Sequence, residues 1–322
     1  MLNNEEKKRV YSACWDLASR SLYEDEYNRK NPEQALKYMQ YTKSLIDFLV
    51  EQEFINSQNV EDIISRINDI VYVGNIKYDM YDLTTRYAGG LTKILGNGKK
   101  EITIKPYADK RDTEIATYHE LIHTLDGLDL GQVPNIMKRY AIIRSLKRMP
   151  INPELTDKYF EHIGMGVLLL KEAVAVRVSQ MAYARIHKLN ELECFPVKEI
   201  RDEDIVHARY PSNFEAYPIF QILAMQYALN MKSIREKNIS GRDTALLQMC
   251  KDAFNKDYTE TIFKELNRDE DSTFTIIGKM GLICQKYYDE SIGKMGISTG
   301  ESTKVFNELI NALRVKQKKM EW

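Results

Sequence analysis

The segment His119-Glu120-Leu121-Ile122-His123 has the residue types and spacing of a metal site. Residues i and i+4 share one face of an α-helix, so both imidazoles can reach a single ion. Histidine nitrogens bind zinc at about 2.0–2.1 Å. Glu120 is offset from His119 by about 100° around the helix, which places its carboxylate beside the ion and near a bound water. We therefore predict one zinc at His119 and His123, with Glu120 as general base.

A catalytic zinc usually has three protein ligands and one open position, and the sequence offers two candidates for the third ligand. Glu172 lies in the apolar segment Gly164–Val176, where a carboxylate is costly unless it is paired or metal-bound. Asp129, six residues after the motif, is the alternative, because zinc peptidases of the metzincin type place a ligand there after a turn glycine. In this sequence the glycine, Gly127, comes one residue later than in that pattern. The choice between Glu172 and Asp129 stays open, with Glu172 preferred.

Hydrolysis of a peptide at zinc develops an oxyanion, which usually receives a hydrogen bond from Tyr, His or Arg. Four such side chains follow the Glu172 segment, and no spacing rule selects among them: His207, Arg209, Tyr210 and Tyr217. Asp126, just after the motif, is interpreted either as a residue that orients a ligand histidine or as a polar helix end.

Hydrophobic periodicity predicts the helix that the motif needs and helices over most of the chain. Residues 5–68 are predicted helical, with a helix start at Asn31-Pro32-Glu33. Further helices are predicted over roughly 112–126, 134–148, 162–188, 213–236, 242–266, 272–288 and 301–320. A long loop is expected between them at 189–212.

A β-rich part comes directly before the motif helix. Ile70–Val73 is a short β-prone run, and two further runs flank the glycine-rich segment 96–100 as a hairpin. Its second strand, Glu101–Lys105, is either an edge strand that could hold an extended peptide or an internal strand. The predicted fold class is therefore α+β and predominantly α-helical, with a small sheet or hairpin before the motif helix.

The composition is that of an ordinary folded chain: 322 residues, 43% apolar and 29% charged, with a formal net charge of −1. This balance gives no reason to expect a nucleic-acid or membrane partner. The four cysteines form no CxxC pair, which suits a reducing compartment. No apolar run has the ~20 residues of a membrane span, and no signal peptide is visible. We expect a cytoplasmic protein, with export by a signal-free route left open.

These residues resemble the gluzincin branch of zinc peptidases, in which a hairpin precedes the histidine motif and a glutamate-bearing helix follows it. The chain is also similar to largely uncharacterised bacterial proteins that carry a His-Glu-Leu-Ile-His helix. Lys171-Glu172-Ala173 stands where those proteins have Asn-Glu-Gly. The resemblance covers about residues 87–230 and implies zinc-dependent cleavage of a peptide or protein. We predict a zincin-like catalytic core at 69–240. Residues 1–68 and 241–322 form helical regions on either side, and no pattern defines an oligomeric state.

Three other interpretations stay open at the level of sequence. The chain could be a scaffold or interaction protein that keeps a zincin-like site without turnover. It could be a toxin-like effector peptidase with a single protein target. It could also be a helical protein without metal, in which the motif arose by chance.

Overall fold

The computed structural model describes residues 1–75, 90–105, 109–129, 131, 153–190, 242–256 and 258–260. Helices dominate this part of the chain, and they accompany one three-stranded sheet. The α+β prediction is confirmed at this level. The helices are α1 (Asn4–Glu24), α2 (Glu26–Lys30), α3 (Pro32–Glu51), α4 (Val60–Asn68), α5 (Lys110–Leu125), α6 (Pro153–Ile186) and α7 (Arg242–Asp252). The strands are β1 (Ile70–Asn75), β2 (Gly90–Ile94) and β3 (Lys100–Ile104).

The sheet has the strand order β1-β3-β2. β2 and β3 form the predicted antiparallel hairpin, with Gly90 opposite Ile104 and Ile94 opposite Lys100. Gly98 in the turn has a φ of 79°, a left-handed conformation that favours glycine. β1 pairs with β3 in parallel, which makes β3 the central strand. The strand that could have been an edge or an internal one is therefore internal.

The N-terminal helices form a core against the sheet. α1 begins with a capping box, in which Asn3 and Glu6 satisfy each other's backbone amides. α3 begins at Pro32, as predicted. Leu45 and Leu49 of α3 are 0% exposed. Their burial removes apolar surface from water, which is the main driving force for this packing.

The motif helix α5 lies within this core. Asp109 caps its first turn by accepting a hydrogen bond from the Arg111 amide at 2.8 Å. Its apolar side chains Leu121, Ile122 and Leu125 are at most 2% exposed. α5 contacts α3, α4, β2 and β3. The predicted helix over 112–126 is confirmed, and packing on several sides fixes its orientation.

The segment after α7 corrects one helix prediction. A continuous helix was expected over 242–266, but α7 ends at Asp252 and residues 253–256 turn away. The Ala253 carbonyl accepts a hydrogen bond from the Gly127 amide at 2.6 Å. The Phe254 carbonyl accepts one from the Arg66 guanidinium at 3.2 Å. These partners from other parts of the chain replace helical hydrogen bonds, so tertiary contacts end the helix.

α6 also differs from its predicted bounds, because it begins at Pro153 rather than near residue 162. Proline suits the first turn of a helix, where its missing amide hydrogen costs nothing. The helices predicted at 134–148, 213–236, 272–288 and 301–320 lie outside the described residues.

Contacts divide the chain into two units, and the long helix α6 runs through both. The first unit comprises Met1–Gly127, Val174–Val197 and Cys250–Lys256. The second comprises Leu128–Ala173, Lys198–Met249 and Asp257–Trp322. The division into regions 1–68, 69–240 and 241–322 stays a prediction. No helix in the described part of the chain combines the length and hydrophobicity needed to cross a bilayer.

Buried tyrosines predict a loss of stability in alkali. Burial raises the pKa of Tyr38 and that of Tyr72 to about 12 each, against about 10 in an unfolded chain. The folded state thus keeps protons that the unfolded chain releases. The contribution of these two tyrosines to the free energy of unfolding is fully present below pH 10, and it falls as the pH rises towards 12.

Tyr38→Phe should therefore make the alkaline fall in the free energy of unfolding shallower, by up to about 1.4 kcal/mol per pH unit. Urea denaturation between pH 9 and 11.5 measures this slope. Tyr23→Phe, at a side chain that is 70% exposed, is the control and should leave the slope as it is. Equal slopes for Tyr38→Phe and wild type would contradict the prediction.

Candidate metal centre

The two histidines of the motif meet on one face of α5, as the i, i+4 spacing predicts. Their Nε2 atoms are 2.9 Å apart, and their ring centroids are 4.4 Å apart at an interplanar angle of 87°. His123 is 9% exposed. Two nitrogens that bind one zinc at about 2.1 Å can be at most about 4.2 Å apart. The observed separation satisfies that limit.

Glu172 joins the two histidines. One ligand atom from each of His119, His123 and Glu172 lies within 4.8 Å of the others. Glu172 is on α6. Two imidazole nitrogens and one carboxylate oxygen could hold a metal ion. Two donor atoms of one bound zinc lie at most about 4.2 Å apart, so the 4.8 Å bound is close to the spacing of a shared ion.

The donor set favours a transition metal. Imidazole nitrogens suit zinc, copper, iron and nickel, whereas magnesium and calcium prefer sites built from oxygen. Three protein ligands are the number typical of a catalytic zinc site, and a closed structural site usually has four. The residues present therefore fit zinc, although other transition metals share this chemistry.

Glu120, the residue between the ligands in sequence, contacts strand β2. Thr92 Oγ1 donates a hydrogen bond to Glu120 Oε2 at 2.8 Å. Glu120 is 7% exposed, so its carboxylate is largely shielded from bulk water. A Cβ atom added at Gly90 would lie 2.5 Å from Glu120 Cγ, a distance that side chains do not adopt. Glu120 therefore occupies a space bounded by β2, and the sequence alone carried no signal for these neighbours.

A second polar cluster lies on α5 and was missed by sequence reasoning. Glu114 Oε1 accepts a hydrogen bond from Tyr118 Oη at 2.5 Å and is 3.0 Å from His187 Nε2. Burial, followed by this hydrogen bond, raises the pKa of Tyr118 well above its usual range. The contact between His187 and Glu114 ties the segment that follows α6 to the first turns of α5.

The alternative ligand Asp129 does not belong to the three-residue group. Its Oδ1 accepts a hydrogen bond from the Gly131 amide at 2.8 Å, and its own amide donates to Thr259 Oγ1 at 2.9 Å. Asp126 follows the last residue of α5 and is 6% exposed. Its amide donates the last helical hydrogen bond, to the Ile122 carbonyl at 2.8 Å, and its extended ψ of 159° ends the helix.

The candidates for stabilising an oxyanion, His207, Arg209, Tyr210 and Tyr217, lie outside the described residues. They stay predictions. The structure thus brings together the two histidines and Glu172 from the predicted site, and it adds Thr92 and Gly90 as neighbours of Glu120.

Comparisons with known proteins found no match among protein-family models, among curated proteins or among solved structures.

Proposed function

We propose that this protein is a zinc-dependent peptidase with a zincin-like core, in which His119, His123 and Glu172 hold the metal. One observation carries the proposal: the donor atoms of these three residues converge within 4.8 Å on a helix pair that also carries Glu120. Bound zinc would supply Lewis acidity and lower the pKa of a coordinated water towards neutrality.

In this proposal Glu120 is the general base. Its carboxylate takes a proton from the attacking water and then gives a proton to the leaving amine. A buried carboxylate is a suitable group for this task, because bulk water does not compete for its hydrogen bonds. The backbone hydrogen bonds of helix α5 fix the position of Glu120 relative to both histidines. The base and two of the proposed ligands therefore share one rigid element.

Strand β2 supports an extended peptide as substrate. Within the described residues, β2 pairs only with β3, and its second edge has no strand partner. An exposed strand edge can bind a peptide through main-chain hydrogen bonds. Glu120 touches β2 through Thr92, so a peptide on this edge would lie close to the general base.

Metal analysis of protein purified without chelators tests the site. We expect about one zinc per chain in wild type, in line with a three-ligand site, and loss of peptide hydrolysis after chelation with recovery on adding zinc. His123→Ala and Glu172→Ala should each reduce bound zinc severely. Asp129→Asn is the matched control and should retain it.

The outcomes separate the competing interpretations. Zinc retained by Glu172→Ala but lost from Asp129→Asn would overturn the ligand assignment. Stoichiometric zinc without hydrolysis of any peptide in a mixed library, or of any protein in a lysate, would favour a metal-binding scaffold. Cleavage of one lysate protein and no generic peptide would point to an effector peptidase.

A further inference from the structure

We propose that β2 is a holder for Glu120, in which Thr92 is a positioning residue and Gly90 leaves the space that the side chain needs. This inference rests on the proposed function, because it concerns how the general base of that site is kept in place. It assigns to the β2 side chains a role separate from any contact that the main chain of this strand makes with a substrate.

The holder has two parts on one face of the strand. Residues i and i+2 of a β-strand point to the same side, so Gly90 and Thr92 both face Glu120. Thr92 Oγ1 donates to Glu120 Oε2 at 2.8 Å. A Cβ at Gly90 would lie 2.5 Å from Glu120 Cγ and 2.9 Å from Oε1. One residue supplies a hydrogen bond and the other supplies room, and together they restrict the side chain.

Burial increases the contribution of this hydrogen bond to holding Glu120 in place. Glu120 is only 7% exposed, and a buried carboxylate needs hydrogen-bond donors to replace the water it has lost. Hydrogen bonds to a charged acceptor are about twice as strong as neutral ones. A general base must also lie within about 2.6–3.2 Å of the proton that it accepts. A displacement of about 1 Å can reduce the rate about 100-fold, so fixing Glu120 bears directly on turnover.

Steady-state kinetics of zinc-loaded variants give the first test. Thr92→Val removes the hydroxyl at nearly constant volume, and we expect kcat to fall at least roughly tenfold while KM and zinc content stay unchanged. Thr92→Ser keeps the donor and should restore kcat to within about threefold of wild type. Gly90→Ala should lower kcat because its methyl group displaces Glu120.

Thr103→Val is the matched control. It makes the same substitution in the same sheet, but at an exposed hydroxyl that donates to the Leu91 carbonyl at 3.3 Å, away from Glu120. It should leave kcat unchanged. Wild-type kcat in Thr92→Val, or failure of Thr92→Ser to restore it, would overturn the proposal.

A double-mutant cycle on metal-free protein gives a readout that needs no catalysis. The unfolding equilibrium constants of Thr92→Val, Glu120→Ala and the double variant show whether the two side chains are coupled. We expect a coupling of at least roughly tenfold. Additive effects would contradict the proposal that β2 positions Glu120. Coupling in a protein that hydrolyses no peptide would support this positioning role and contradict the peptidase proposal.

Discussion

Glu120→Gln should lower kcat for peptide hydrolysis by roughly 10²- to 10⁴-fold, the usual contribution of a general base. The amide keeps the size of the side chain and can still accept the hydrogen bond that Thr92 donates at 2.8 Å. It cannot take a proton from water at neutral pH. The zinc content should stay at the wild-type level, because Glu120 is not one of the proposed ligands His119, His123 and Glu172. Metal analysis and kinetics on the same preparation measure both quantities.

Glu114→Gln is the control for this change. Glu114 is the other glutamate of α5 and is similarly buried at 7% exposed. It contacts Tyr118 and His187 and is not one of the proposed metal ligands. Its substitution should leave kcat within about threefold of wild type. Hydrolysis at the wild-type rate by zinc-loaded Glu120→Gln would show that another group acts as the base or that the chemistry is different.

Gly127→Ala should destabilise the fold by about 3 kcal/mol or more, a large value for one methyl group. Its Cβ would lie 1.8 Å from the Asn255 carbonyl oxygen and 2.7 Å from the carbonyl carbon. Both atoms belong to the backbone, so no side-chain rotation can relieve the clash. The Gly127 amide also donates to the Ala253 carbonyl at 2.6 Å, and any retreat of the chain would lengthen that bond. Urea denaturation followed by circular dichroism measures the loss.

Gly96→Ala is the matched control for this effect. A Cβ at Gly96, in the hairpin turn, meets no atom within 4 Å. Its free energy of unfolding should stay within about 0.5 kcal/mol of wild type, as for most surface substitutions. Equal stability of the Gly127 and Gly96 variants would show that the segment after α7 does not pack against Gly127 in solution.

The reason for a glycine at position 127 differs between the sequence and the structure. The spacing after the motif indicates a displaced turn glycine that could return Asp129 to a metal. In the structure, its lack of a side chain lets the backbone at residues 253–255 approach closely. That approach depends on residues more than 120 positions away, and no local pattern records it.

The sequence by itself determined the local features. The i, i+4 spacing put His119 and His123 on one helix face, Pro32 marked the start of α3, and the glycine-rich segment after β2 formed the hairpin turn. These features depend on backbone geometry over a few residues, so periodicity and turn chemistry are sufficient to predict them.

Tertiary structure decided which distant groups meet. It made β3 the central strand, brought Glu172 rather than Asp129 to the histidines, and placed Thr92 against Glu120. It also paired His187 with Glu114 and ended α7 at Asp252. Each outcome depends on packing between segments far apart in the chain, where burial and hydrogen-bond satisfaction outweigh local propensity. For this reason the histidine motif could be predicted from sequence, whereas the surroundings of its glutamate could not.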